Sequence, residues 1–231
     1  MSKIHVIIPA AGSGSRLGDK IPKQFARIEN QTIIEYIEGI FSRVSLIDSI
    51  SIALHPDEKF ISSGNCQFSN KTKVLYCGGQ TRSQTVFNAL CNIHDTKDDD
   101  WILVHDAARI GITESIINQF ITEMSTDKVG GIVAIPVPDT VKKVNKYLEV
   151  VATENREFLW LAQTPQMFKC KILKHAIQSF DGSPTDEAEA VEAIGLQPKI
   201  FEGSALNFKI TYPEDLFRAQ SAINIIKKGA L

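Results

Sequence analysis

Trp101-Ile102-Leu103-Val104-His105 carries no polar side chain until its last residue. Side chains on a strand alternate between two faces, so a run that is apolar on both faces needs cover on both. It therefore predicts a central strand between two layers. The chain around it keeps one rhythm. His5–Ile8, Ser49–Leu54, Lys73–Cys77 and Val129–Val137 read as further apolar strands. Between them lie helical patterns. Thr32–Val44 puts Ile33, Ile34, Ile37, Ile40, Phe41 and Val44 on one face, and a helix from about Thr81 turns Val86, Phe87, Leu90 and Ile93 inward. Thr113 caps a third helix carrying Ile116, Ile117, Phe120, Ile121 and Met124. Asp57–Asn70 is polar and has no clear period. Strands alternating with helices predict a three-layer, mainly parallel α/β sheet.

The rhythm changes from Pro138 to about Trp160. Val141–Val151 reads as two short strands about a turn near Asn145-Lys146, part of a hairpin arm spanning about 138–160. Helical patterns return at Lys169–Phe180 and Thr185–Ile194, the second stopped by Gly195. Lys199–Glu202 and Phe208–Thr211 read as strands, and Pro213 opens a last helix to about Lys228. With no repeat, linker or low-complexity stretch, residues 1–231 are expected to form one domain with an arm. A net charge of -2 gives no basic surface for nucleic acid. No run approaches the ~18 apolar residues of a membrane span, and Met1-Ser2-Lys3 leads straight into a strand, without room for a signal peptide. The four cysteines lack C-x-x-C spacing, which points to reduced thiols in a cytoplasmic protein. The histidines show no paired metal spacing, and Asp98-Asp99-Asp100 precedes a strand, as a solvated loop does.

In such sheets ligands bind beyond the carboxyl ends of the strands. The first strand ends in Pro9-Ala10-Ala11-Gly12-Ser13-Gly14-Ser15-Arg16-Leu17-Gly18, followed by Pro22-Lys23-Gln24-Phe25. Small residues there let backbone N–H groups close on an anion, and Arg16 and Lys23 bring positive charge. A P-loop is excluded because no Gly-Lys-Ser/Thr occurs. A dinucleotide fingerprint is excluded because Gly12, Gly14 and Gly18 are spaced one residue too long. The bland alternative is a flexible glycine turn with two solvated cations. Strand, loop, Arg16 and the Pro22-Lys23 step occurring together favour a triphosphate cradle.

Pro-Ala-Ala-Gly-x-Gly-x-Arg-Leu-Gly with Pro-Lys-Gln-Phe resembles the signature loop of cytidylyltransferases, above all the 2-C-methyl-D-erythritol 4-phosphate cytidylyltransferases of non-mevalonate isoprenoid biosynthesis. Agreement continues, in family order, from Ile7 to Leu216. The resemblance implies a Rossmann-like sheet of nucleotidyltransferase type with a protruding β-hairpin arm. It assigns Ala10, Ala11, Gly12, Gly14, Ser15, Gly79, Gln80 and Thr85 to the nucleotide, and Arg16 and Lys23 to the triphosphate and the transition state. Gly78–Val86 matches the segment that reads cytosine and ribose, with Gln80 where an acid is common and Thr85 in place of serine. His105-Asp106-Ala107-Ala108-Arg109 matches a further segment, with Ile110 where the family has proline. Asp106 is there expected to hold Mg²⁺ or a substrate hydroxyl, and Arg109 to lie near the acceptor. Thr140 in Pro136–Lys142, Arg156 in Asn155–Trp160, and Lys209 are assigned to the acceptor, the last two gripping its phosphate. Gln163–Phe168 and Thr185–Ala188 match family segments read as structural. The resemblance also implies a homodimer in which the arms exchange and carry Thr140 and Arg156 into the neighbouring site.

The chemistry suits this inventory. A phosphate monoester attacking the α-phosphorus of CTP is already an anion, so no general base is needed. Catalysis reduces to bringing two anions together and stabilising the charge on phosphorus. Isolated cations in loops, with no Ser/His/Asp arrangement, are what that requires. The rivals are a cytidylyltransferase for another polyol phosphate such as ribitol 5-phosphate, a sugar-1-phosphate nucleotidyltransferase, and a nucleotide-binding regulatory module without turnover.

Overall fold

The protein is seen in a computed structural model that describes residues 2–12, 22–61, 63–94 and 96–229. In chain order its strands are β1 (Ile4–Pro9), β2 (Arg27–Ile28), β3 (Gln31–Thr32), β4 (Ser49–Ala53), β5 (Thr72–Leu75), β6 (Trp101–Val104), β7 (Gly130–Pro136), β8 (Val141–Val144), β9 (Val150–Glu154), β10 (Trp160–Lys169) and β11 (Lys199–Glu202). The helices are α1 (Ile33–Arg43), α2 (Arg82–Asn92), α3 (Glu114–Met124), α4 (Cys170–Ser179), α5 (Glu187–Ala193) and α6 (Asp215–Lys227). Their ends follow local chemistry. Thr32 and Glu35 form a reciprocal capping box on α1, and Thr81, Thr113 and Asp186 accept the N3 amides of α2, α3 and α5. After α5, Gly195 adopts φ +82, a conformation other residues reach only with strain.

The main sheet has the order β11-β7-β10-β6-β1-β4-β5. β1 pairs parallel with β4 and β6, β4 with β5, and β7 with β11, whereas β10 runs antiparallel to both neighbours. Alternate side chains of β6 enter different layers, as the opening argument requires. Trp101 and Leu103 pack with α1 and α3 on one face, and Ile102 and Val104 with α2, α4 and α5 on the other. All four are at most 3% exposed. Six strands point one way, so their carboxyl ends share one edge of the sheet.

Three expectations need correction. The ten-residue strand β10 is absent from the sequence reading. Its centre, Gln163-Thr164-Pro165-Gln166, breaks any apolar period, and its register shifts between Ala162 and Gln166. Those polar side chains are nonetheless buried, and each finds hydrogen-bond partners around the crevice described below. Second, Phe208–Thr211 is not a strand. A single antiparallel bridge joins Lys209 to Arg109. Third, α6 starts at Asp215, so Pro213 sits in the turn before it and accepts from the Leu216 amide. Asp57–Asn70 consists of turns and irregular backbone among its described residues.

β8 and β9 pair only with each other, with Val141 opposite Glu154 and Lys143 opposite Ala152. The turn at their tip is wider than expected, with Asn145 N–H bonded to the Glu149 carbonyl and Leu148 at φ 63. Tyr147, Leu148, Val150, Val151 and Phe158 stand exposed on this segment.

Candidate active site

Four strand ends supply the walls of one cavity of about 520 Å³. β1 delivers Ala10–Gly12, β4 leads to His55, the segment after β5 brings Gly79, and β6 leads to Asp106–Ala108. Lys23 and Lys209, far apart in sequence, line it together. Arg16, Gly14 and Ser15 lie outside the described residues.

Local packing explains why the loops close so tightly. Gln24, 4% exposed, donates through Nε2 to the carbonyls of Ala10 (2.8 Å) and Gly12 (3.0 Å), tying the Pro22–Phe25 turn back onto the glycine loop. A Cβ on Gly78 would stand 2.4 Å from Ala11 Cβ and 2.8 Å from the Leu54 carbonyl, so only glycine lets these loops meet. The Thr85 hydroxyl accepts from the Gly79 amide and donates to the Thr81 carbonyl, both at 3.0 Å. It thereby shapes the turn, and only an acceptor lone pair remains for a base. Gln80 is exposed beside it. The Lys23 ammonium donates to the Ile210 carbonyl at 3.2 Å, which draws it towards the segment that carries Lys209.

Asp106 is the electrostatic centre. Its Oδ1 lies 2.7 Å from Arg82 Nε and its Oδ2 lies 2.8 Å from Lys209 Nζ and 3.7 Å from Arg109 Nε. Burial opposes its charge, but Arg82, Lys209 and Arg109 outweigh that and hold the carboxyl far below the usual carboxylate range. Arg82 is in turn gripped by Glu187, with Nη1 to Oε1 at 2.6 Å and Nη2 to Oε2 at 3.0 Å. Arg109 donates to the carbonyls of Asn207 (2.9 Å) and Ala162 (3.2 Å), and burial lowers its pKa from the ordinary arginine value. His105 is fully buried between the Thr164 hydroxyl and the Arg109 carbonyl, and burial pushes its pKa down to about 4. It is neutral at pH 7 and is not among the residues that line the cavity. Ile110, where the family has proline, is fully buried in the core. The loop before it is pinned by the His105 bond, the Arg109 amide to Asp106 (3.2 Å) and the Ile210 amide to Ala108 (2.8 Å), so the missing proline does not leave it loose.

The expectation that Asp106 ligates Mg²⁺ does not fit this arrangement. Both carboxylate oxygens are already held by cations, and among the described residues no three His, Cys, Asp or Glu side chains come together. Magnesium is commonly bound through substrate phosphates with few protein ligands, so a divalent cation fits better as a companion of the nucleotide.

Thr140 and Arg156 are not brought to the cavity within one chain. Both are exposed at the base of the β8–β9 segment, where Arg156 hydrogen-bonds the Pro138 carbonyl. Arg82 and Glu187 are the residues that sequence reasoning passed over. The signal was present: an arginine in the first turn of α2, and an acid in a matched segment otherwise read as structural.

The model of the 2-C-methyl-D-erythritol 4-phosphate cytidylyltransferase family matches residues 4–225. A protein of that name from Nitrosomonas eutropha is 42% identical over 224 residues, covering 95% of this chain and 96% of the relative. The protein of that name from Nitrosospira multiformis is 40% identical, over 95% and 97%. Among solved structures, a 4-diphosphocytidyl-2C-methyl-D-erythritol synthase superposes with a TM-score of 0.84 at 34% identity, covering 96% of this chain and 99% of the other. The Francisella tularensis 2-C-methyl-D-erythritol 4-phosphate cytidylyltransferase gives 0.80 at 35% identity, over 96% and 100%. With the family model spanning residues 4–225, and with relatives matched over nearly their whole length in sequence and in structure, the chain belongs to the 2-C-methyl-D-erythritol 4-phosphate cytidylyltransferase family.

Proposed function

We propose that this protein transfers CMP from CTP to 2-C-methyl-D-erythritol 4-phosphate, giving 4-diphosphocytidyl-2-C-methyl-D-erythritol and pyrophosphate in isoprenoid precursor synthesis. The observation that carries the reading is the convergence of Lys23 and Lys209 on one cavity at the carboxyl ends of β1, β4 and β6, in a chain of this family. CTP lies along Ala10–Gly12 and Gly79, with its triphosphate towards Lys23. The acceptor's phosphate enters on the side of Lys209. Its oxygen attacks the α-phosphorus, the bond to the β-phosphate oxygen breaks, and pyrophosphate leaves with that electron pair. The cations lower the repulsion between the reactants and stabilise the extra charge on phosphorus. Asp106 keeps Lys209 at the cavity edge until a phosphate competes for it, and Arg109 fixes the wall beneath. A divalent cation enters with the CTP phosphates.

The enzyme works as a homodimer whose β8–β9 arms reach the neighbouring copy and bring Thr140 and Arg156 to its acceptor. Exposed Tyr147, Leu148, Val150 and Val151 on that segment, with exposed Phe158 just beyond it, support this, since several bare apolar side chains gathered on one segment call for a partner. Free cysteines, and no helix among the described residues long and apolar enough to cross a membrane, agree with work in the cytoplasm.

Pyrophosphate release from CTP, compared between 2-C-methyl-D-erythritol 4-phosphate and ribitol 5-phosphate, tests the reading. Turnover with the erythritol phosphate is expected to dominate in kcat/KM. Preference for ribitol 5-phosphate would reassign the acceptor, and CTP binding without release would reduce the protein to a nucleotide-binding module.

A further inference from the structure

Two segments that match the family, Gln163–Phe168 and Thr185–Ala188, have no task in the reaction chemistry. The structure joins them. Gln166, 1% exposed on β10, donates from Nε2 to Asp186 Oδ2 and accepts at Oε1 from the Ala188 amide, both at 2.9 Å. These bonds anchor the first turn of α5, whose Glu187 is also 1% exposed. Glu187 holds both Nη atoms of Arg82, and the remaining nitrogen, Nε, donates to Asp106 Oδ1. The other oxygen of Asp106 holds Lys209. A planar guanidinium engaged at all three nitrogens cannot swivel, so the position of one carboxylate dictates that of the next.

We propose that Glu187 is a positioning residue for the acceptor: through Arg82 it fixes the Asp106 carboxylate, and so places the Lys209 ammonium where the acceptor phosphate arrives. The inference rests on the acceptor site given under the proposed function. Without Glu187, Arg82 is free to turn both its prongs onto Asp106 and displace Lys209 from it. Acceptor handling should then suffer. Glu187 is not among the cavity's lining residues, although Arg82 is, so CTP binding, which draws on Ala10–Gly12, Gly79 and Lys23, should change far less.

The test is pyrophosphate release with each substrate varied in turn, together with thermal melting, for the wild type, Glu187→Gln and the neutral double variant Arg82→Gln/Glu187→Gln. Glu187→Gln is expected to raise the acceptor KM at least ~10-fold while the KM for CTP stays within about twofold. The double variant is expected to regain part of the melting temperature lost in Glu187→Gln, since a cation and an anion are removed together and Asp106 keeps Lys209 and Arg109, yet to keep the raised acceptor KM. If both KM values move together, or if the double variant restores acceptor KM along with stability, the pair is a structural ion pair and the proposal falls. It falls equally if neither variant folds. A wild type that releases no pyrophosphate overturns the functional reading and the relay with it, whereas a wild type that turns over beside uniformly weakened variants overturns the relay alone.

Discussion

At the scale of single residues, Gly78 and His105 make separable predictions. Adding a methyl group at Gly78 forces apart the loops that carry Ala11 and Leu54, because two of its contacts would be 2.8 Å or shorter. Gly78→Ala should therefore lose about 1–3 kcal/mol of stability by urea unfolding and raise the KM for CTP, which the proposed function places against those loops. His105 predicts a pH dependence. Its pKa falls from 6.5 to about 4 on folding, so between those values the unfolded chain binds more protons than the folded one. Stability contributed by keeping it neutral is present above pH 6.5 and is lost as the pH falls towards 4, by about 3 kcal/mol in all. Asp106 acts lower: its depressed pKa maintains stability above the ordinary carboxylate range, and that is lost only in strong acid. Urea titrations from pH 7 to pH 4 should show the decline in the wild type, and His105→Gln should flatten it.

At the scale of elements, regular amphipathic helices and fully apolar strands were legible in the sequence, and polar strands were not. α1 falls within a residue of both expected bounds, and α2 and α3 start within a residue of where they were expected, because Thr32, Thr81 and Thr113 mark the starts and apolar spacing marks the faces. β10 was hidden because its central residues are chosen for the hydrogen bonds they make to the crevice and to α5, not for apolar alternation. Lys209 was legible only by resemblance. Its place comes from the pairing of 207–210 with Ala108 and Arg109, contacts about a hundred residues apart in sequence. The arm makes its own prediction. If exchange delivers Arg156 to the neighbouring copy, then Lys23→Ala and Arg156→Ala, each impaired alone, should complement when coexpressed. One hybrid site would then contain native Lys23 from one chain and native Arg156 from the other. Pyrophosphate release that stays at the level of the single variants would place Arg156 in its own chain's site or in none.

At the scale of the whole molecule, the strand-helix alternation predicted the sheet, and the sheet predicted which edge carries the cavity. Six strands share a direction, so loops scattered from Ala10 to Ala108 end on one edge, and the 203–210 segment folds back to join them. What the sequence could not convey is how the charges are partnered. The buried carboxylates Asp106 and Glu187 interleave with Arg82, Arg109 and Lys209, so the cluster stays stable without substrate and still offers Lys209 to a phosphate. The central claim is that these cations carry the phosphorus chemistry with no proton-abstracting group. It is tested most directly by kcat for pyrophosphate release at saturating CTP and 2-C-methyl-D-erythritol 4-phosphate, in the wild type, Lys23→Ala and Lys209→Ala. The account predicts losses on the order of 10²–10³-fold in Lys23→Ala, with a melting temperature near that of the wild type, and a lowered kcat in Lys209→Ala, with some loss of stability because Asp106 loses a partner. Turnover within a few-fold of the wild type in both variants would contradict it.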